Sequence, residues 1–547
     1  MKLKSYHIAV VFILILRTTS SLSQQIPAFS NISGNFEINS QYYKKDELIG
    51  ADDVPEKLLS NGFLNINYES GPFKAGIRYE SYLNALQGFD PSYKGSGIPY
   101  RYASFTTDQI TITAGNFYDQ FGSGLIFRSY EERSLGIDNA MDGLHVRYNL
   151  YKGITIKGFV AEQRNYFSKG PGIVRGIDGD LQLNDFIPGW DSKKLRIGLG
   201  GSFVSKYQKD DIPSRILPEN VASFAHRLNI GYGSFTFDAE YAYKYNDPSI
   251  VNKFIYKNGE ALLLNIGYSH KNLGTHISAK RIDNMNFRSD RSAQGTRLFV
   301  NYLPAINKQL TYRLSTLYPF ATQPNGEMGI SGEVYYNFKS GTGLGGKHGT
   351  LISMSASAVN DIKKTTASND TIGYVSDFFA IGDNKFYRDA NVEITKKLSK
   401  NDKVIISYIY QLYDQFVLQG EGSAVQADFE AHIGVIDYLH KFNHKHSVRI
   451  EAQHLLTKQD RKNWALGLIE YSVSPHWSFT AFDEYNYGNE ESKNRIHYYN
   501  FSLAYTKAST RISLAYARQR EGLLCVGGVC RQVPASNGFN VTITSRF

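Results

Sequence analysis

The carboxy-terminal stretch Asn537-Gly538-Phe539-Asn540-Val541-Thr542-Ile543-Thr544-Ser545-Arg546-Phe547 alternates in character along its length. Successive side chains of a β-strand point to opposite faces, so Phe539, Val541, Ile543 and Phe547 share one face, and Asn540, Thr542, Thr544 and Arg546 share the other. A strand with one apolar and one polar face, about ten residues long, has the form of a stave in a transmembrane barrel, facing lipid outside and the lumen inside.

The same period recurs upstream. Ile512, Leu514 and Tyr516 oppose Arg511, Ser513 and Ala515; Val448, Ile450 and Ala452 oppose Arg449, Glu451 and Gln453. Phe235, Phe237, Tyr241 and Tyr243 oppose Asp238, Glu240 and Lys244, and Phe73, Ala75, Ile77 and Tyr79 oppose Lys74, Gly76, Arg78 and Glu80. A soluble sandwich core does not take so much charge on its inner face. The 39 Tyr and 33 Phe suit aromatic girdles at two membrane interfaces, and 48 Gly against 15 Pro suits many strands and tight turns. Mean hydropathy is −0.35, and no apolar run approaches the roughly 18 residues a membrane helix needs. The fold class expected is all-β: a large antiparallel transmembrane barrel of about 26 strands, within a range of 22 to 26, the first near Asn35–Tyr43 and the last at Asn537–Phe547. The least marked strand falls near Ile173 to Leu183. Connections alternate between short turns, such as Ser70–Pro72, Lys271–Asn272 and Asn443–Lys445, and long loops, and an even strand number puts both termini on the short-turn, periplasmic side.

The amino terminus reads differently. Lys2 and Lys4 precede an apolar stretch from Ile8 to Leu16, and Thr18 to Ser23 are small and polar, the pattern of a secretory signal peptide. The expected organisation is a signal peptide at 1–23, a short periplasmic segment at 24–34 and the barrel at 35–547. The dozen or so residues before the first strand leave no room for an amino-terminal plug domain. Loss of Lys2, Lys4 and Arg17 takes the formal charge from +9 to +6, with no basic run that would track nucleic acid.

One motif is not generic barrel sequence. Gly115-Asn116-Phe117-Tyr118-Asp119-Gln120-Phe121-Gly122-Ser123-Gly124-Leu125 continues through Arg128-Ser129-Tyr130-Glu131-Glu132-Arg133 to Gly136-Ile137-Asp138-Asn139-Ala140. The chain resembles, on this motif and over most of its length, a family of uncharacterised Bacteroidota outer-membrane proteins. The resemblance implies location and fold; it brings no activity and no catalytic residues.

The candidate lumen-lining residues are Lys74, Arg78, Glu80, Arg449, Glu451, Arg511 and Arg546; they suit either a weakly selective aqueous path or a salt-bridged wall with no transport role. The candidate constriction is the loop from Asp119 to Gly143. Phe121, Leu125, Ile126, Phe127, Leu135 and Ile137 need burial, while Arg128, Glu131, Glu132, Arg133 and Asp138 need pairing or water. Folding inward, with Gly122 and Gly124 permitting the re-entry, meets both needs and brings the charges to partners such as Arg78 or Glu80. An external hairpin packed on neighbouring loops is the other reading. Cys525 and Cys530, with four residues including two glycines between them in an exported chain, are expected to form a disulfide at an external loop tip, with two free thiols as the alternative.

Three tempting signals read more simply. His440, His444 and His446 surround a turn with no further metal ligand beside them. Gly122-Ser123-Gly124 is not a nucleophile elbow, and Gly341–Gly349 lacks the Gly-Lys-Ser/Thr order of a phosphate loop. No catalytic constellation, cofactor site or metal site is expected. The partners expected are outer-membrane lipid and, in a second hypothesis, other envelope proteins for which the barrel is a non-enzymatic subunit or scaffold of an assembly or export complex. The first hypothesis is a porin-like pore.

Overall fold

The computed structural model describes residues 31–368, 371–419 and 428–547; the signal peptide expected at 1–23 and the first part of the segment expected at 24–34 lie outside them. One sheet of 24 strands, every neighbouring pair antiparallel, runs from Ile32–Lys44 to Ser536–Arg546 and closes on itself. At the seam Asn35 lies opposite Arg546 and Tyr42 opposite Phe539. The terminal Phe547 exchanges main-chain hydrogen bonds with Gly34 at 2.9 and 3.0 Å and lays its ring over that glycine, where a Cβ would collide with it.

The 24 strands fall within the expected range of 22 to 26, and the first begins at Ile32, close to the expected Asn35. Four further short strands are not part of the wall and form two pairs, Glu131–Glu132 with Ile137–Asp138 and Gly522–Val526 with Val529–Val533. The strand least marked in sequence is present as Ser168–Gln182, with a register shift between Lys169 and Ile173.

Alternation along each strand sorts the two faces. On Phe73–Asn84, Ile77 and Tyr79 are 43% and 42% exposed on the outside, while Arg78 and Glu80 are 3% and 1% exposed on the inside. Leu514, Phe539, Ile450, Ile436, Phe501 and Val334 continue the apolar exterior. The lumen face of the last strand carries a polar ladder, with Asn540 donating to Asn39 at 2.7 Å and Thr542 to Asn540 at 3.1 Å.

The two ends of the barrel differ. At one end the connections are mostly short: Gly71 and Gly233, at φ 55° and 58°, occupy two-residue turns whose left-handed backbone matches the twist of the flanking strands. Both chain ends of the barrel lie there. At the other end most connections are long, and three of them turn into the lumen.

Candidate functional site

The first inward connection follows the strand Ile110–Phe117 and returns at Met141–Tyr151. Gly122 takes φ 54° against the wall, where any side chain would run into Arg227 and Glu240. The next residue is fastened there: the Ser123 amide and hydroxyl each donate to Glu240 at 2.7 Å. Phe121, Leu125, Ile126 and Phe127 are fully buried among Phe159, Val174, Val204, Ala225, Ala242 and Ile282 of the wall. The loop therefore folds inward, and its apolar half is the core of one side of the lumen. Asp119 is held by His145 at 2.8 Å and Lys157 at 3.0 Å. Burial works to raise its carboxyl, but these two contacts and the Gln120 amide keep it below the ordinary carboxylate range.

The charged half forms a second attachment. Glu131–Glu132 and Ile137–Asp138 pair as a minute ladder around the turn Arg133–Leu135, which Gly136 closes at φ 65°. Asp138 meets both Arg78 and Arg164 and accepts from the Tyr118 hydroxyl at 2.9 Å. Arg78 also donates to Glu80 at 2.7 Å and lies 3.2 Å from Glu131; Arg164 binds Glu80 at 2.6 Å. Burial acts to raise the Asp138 carboxyl, and the two guanidiniums together with the Tyr118 hydroxyl and the Ala140 amide more than reverse it, leaving it below its usual range.

Not every charge in the motif goes to the expected partners. Arg133 reaches Glu37 of the first strand at 2.6 Å, and Arg128 stacks over Tyr130 and Tyr302 at 4.6 and 4.1 Å. Glu132 instead accepts from the Ser134 amide and hydroxyl within its own turn. Of the remaining lumen candidates, Glu451 is buried in a cluster with Arg449 and Asp437, the latter two 3.1 Å apart. Lys74 pairs with Glu69 at 2.8 Å near the turn end, and Arg511 and Arg546 are exposed there.

A second inward connection, residues 284–326 between the strands Leu273–Asp283 and Glu327–Phe338, was not anticipated. Phe287, Val300 and Leu303 join the apolar cluster of the first loop. Leu314, Leu317, Tyr318 and Phe320 build another against Tyr387, Ile409, Ile433 and Leu455 across the barrel. Buried wall lysines satisfy its carbonyls: Lys206 donates to Arg288 at 2.8 Å and Lys244 to Asn286 at 2.7 Å. Its apolar surplus was the readable signal, the same one that marks residues 119–143. Main-chain bonds splice the two segments, from Arg128 to Val300 and from Tyr302 to Gly124, both at 2.9 Å.

The third inward element is the hairpin Gly522–Val533, in which Cys525 and Cys530 face each other and are joined by a disulfide. The external position expected for its tip is corrected. Gly527 accepts from the Tyr302 hydroxyl at 2.8 Å and the Ala305 amide, and Thr322 donates to Gly528 at 3.0 Å, so the tip ends on the second segment inside the lumen. Leu523, Leu524, Val526 and Val529 give the hairpin apolar surface that solvent would leave bare.

The three segments together form a plug across the loop-end half of the lumen. Between it and the wall remains a cavity of about 900 Å³. Glu37, Asn39, Gln41, Arg133, Arg313 and Arg520 are among its polar lining, and Phe63, Tyr82, Tyr302 and Tyr387 among its aromatic lining. The histidines lie elsewhere: His440 contacts Asp402 and His446 contacts Tyr471, each at 2.7 Å. Among the described residues no three His, Cys, Asp or Glu side chains converge as a metal set.

Residues 2–547 match the model of a family described as of unknown function, DUF6029. No curated protein matches the chain. Among solved structures, the chain is similar to the siderophore receptor PirA from Pseudomonas aeruginosa, at 8% identity over 96% of this chain and 81% of that one, with a TM-score of 0.41. It is similar to the P pilus usher (PapC) translocation pore, at 10% identity over 94% and 99%, with a TM-score of 0.44. OccAB3 of Acinetobacter baumannii matches at 9% identity over 94% and 99%, with a TM-score of 0.34.

Proposed function

This chain belongs to the DUF6029 family, whose function is unknown, and from that starting point we propose that it is a non-enzymatic, porin-like pore of the bacterial outer membrane whose width is set by an internal plug. The apolar exterior suits a bilayer, and the short-turn end, with both termini, takes the periplasmic side. The observation that carries the reading is the cavity of about 900 Å³ left between plug and wall. Its lining mixes polar groups of both charge signs with apolar side chains and aromatic rings, a surface suited to a path for a hydrated solute.

The test is conductance of the purified full chain in a planar bilayer, beside a variant lacking residues 123–139. That deletion removes the first plug segment while joining two strands that are already neighbours. Small, regular openings in the native protein and larger ones in the deletion variant are expected. A correctly folded barrel that never conducts, in either form, and copurifies with stoichiometric envelope proteins would replace the pore with a scaffold for an assembly or export complex.

A further inference from the structure

One arc of the short-turn rim is strongly basic. The strands from Glu327–Phe338 to His446–Leu456 are consecutive in the wall, and three turns join them in pairs at this end. The first turn carries exposed Lys339 and Lys347, the second Lys397 and Lys400, the third Lys441 and Lys445. Asp402 is the sole carboxylate in these three turns, and it is already engaged by Ser399, by Tyr438 at 2.6 Å and by His440. Among the described residues none of the six lysines has an ion-pair partner. Across the barrel the rim is mixed: Lys74 is paired with Glu69, and Lys152, Lys193 and Lys194 share their turns with Asp185 and Asp191 or stand one turn from Asp108.

The alternation of the wall says what can reach these charges. Val392 and Ile394 are exposed on the outer face of Tyr374–Lys397, and Asn391 is buried on the inner one. Lys397 continues the inner series, as Lys441 continues Val435 and Asp437. Lipid headgroups approach only from outside, so they do not serve the lysines of the inner series. Adjacent strands lie about 4.8 Å apart, which puts neighbouring turns about 10 Å and the outer two about 20 Å apart. A single small anion does not bridge that distance. An extended chain advances about 3.3 Å per residue and crosses the arc in six or seven residues, with carboxylates falling against each turn.

We propose that this arc is a docking surface for an acidic, extended polypeptide segment at the periplasmic mouth of the barrel. Six unpaired cations beside a low-dielectric wall produce a local positive potential that the modest net charge of the chain conceals. Individual exposed pairs contribute little, so the affinity comes from several contacts acting together and falls with ionic strength.

The probe is a fluorescent glutamate-rich peptide of about 12 residues, its binding to the full chain in phosphatidylcholine nanodiscs read by anisotropy at low and physiological salt. The charge-reversal variant Lys347→Glu/Lys400→Glu/Lys445→Glu alters only exposed turn positions and is expected to bind about tenfold more weakly or worse. The variant Lys152→Glu/Lys193→Glu/Lys194→Glu makes the same change in net charge on the far arc and should stay within about twofold of native. Equal losses in both variants would reduce the effect to net charge and overturn the proposal. So would absence of peptide binding at low salt, or binding found only with phosphatidylglycerol vesicles and lost on the same substitutions. Anisotropy does not depend on conduction, so failure of the pore reading leaves this result standing.

Discussion

Replacing Asp138 by Asn keeps the shape of the side chain and removes one of the charges that hold the plug. Asp138 is the shared partner of Arg78 and Arg164, with side chains 4% and 2% exposed, and Glu80 is the main counter-charge left to both. Breaking a buried ion pair by deleting one partner costs about 3–5 kcal/mol, because the surviving charge stays desolvated. That is two to nearly four decades in the population of the undocked state. The other half of the loop has its own anchorage: Phe121, Leu125, Ile126 and Phe127 contribute about 6–12 kcal/mol together if each buried side chain is worth about 1.5–3. The loss is therefore smaller than the remaining hold, and the loop should loosen in part. In native-state hydrogen exchange, amides between Arg128 and Ala140, such as those of Tyr130, Gly136 and Asn139, should exchange about 100-fold faster or more. The Phe121 and Tyr302 amides, bonded to Phe127 and Gly124, should keep their protection. Glu132→Gln is the control, since Glu132 only caps its own turn and its loss costs about 1 kcal/mol. Unchanged exchange in Asp138→Asn, or acceleration spread evenly over the whole plug, would refute the two-anchor account.

Other expectations follow from the same geometry. Val541→Arg places a charge on the lipid face and should cost about 2–4 kcal/mol at mid-bilayer, whereas Thr542→Arg enters the polar lumen ladder and should be mild; heat-modifiable gel migration separates them. Asp119 and Asp138 are both held below the ordinary carboxylate range, so their contribution to plug docking is fully present above the unfolded value of about 3.9 and is lost as pH falls through their lower folded values. Conductance should accordingly hold steady from neutral pH to about 4 and rise only below it. Replacing both Cys525 and Cys530 by Ser should cost the hairpin about 2 kcal/mol and make its channel noisier, and mass spectrometry without reduction should find the native chain two hydrogens lighter than its thiol form.

The wall was legible because its signal is local. A period of two, read on Phe73–Asn84 or Ser536–Arg546, already assigns Ile77 to lipid and Arg78 to the lumen, and an excess of apolar side chains in residues 119–143 already demands burial. What stayed hidden depends on the circumference. Arg164 meets Glu80, and Arg133 meets Glu37, only because the strands between them close into a ring of a particular size and stagger. Residues 284–326 carry the same apolar excess in a connection with no strand of the wall, and β-like patches such as Phe299-Val300-Asn301 imitate a stave without being one. The direction of the cysteine hairpin was beyond reach for a similar reason. Its fate is decided by Tyr302, Ala305 and Thr322, more than 200 positions earlier in the chain.

That distance bears on how the molecule is made. Contacts between segments far apart in sequence form slowly, and the plug consists of such contacts: Gly124 with Tyr302, Tyr302 with Gly527. The seam between Ile32–Lys44 and Ser536–Arg546 also waits for the last residues to be delivered. If the ring closes first, the membrane briefly holds an unobstructed hole as wide as the whole lumen. If the three segments condense first, the staves must wrap around an object already in place. The order of these two events decides whether biogenesis of the protein is leak-tight, and a cell making the native chain would reveal it through sensitivity to large antibiotics during synthesis alone.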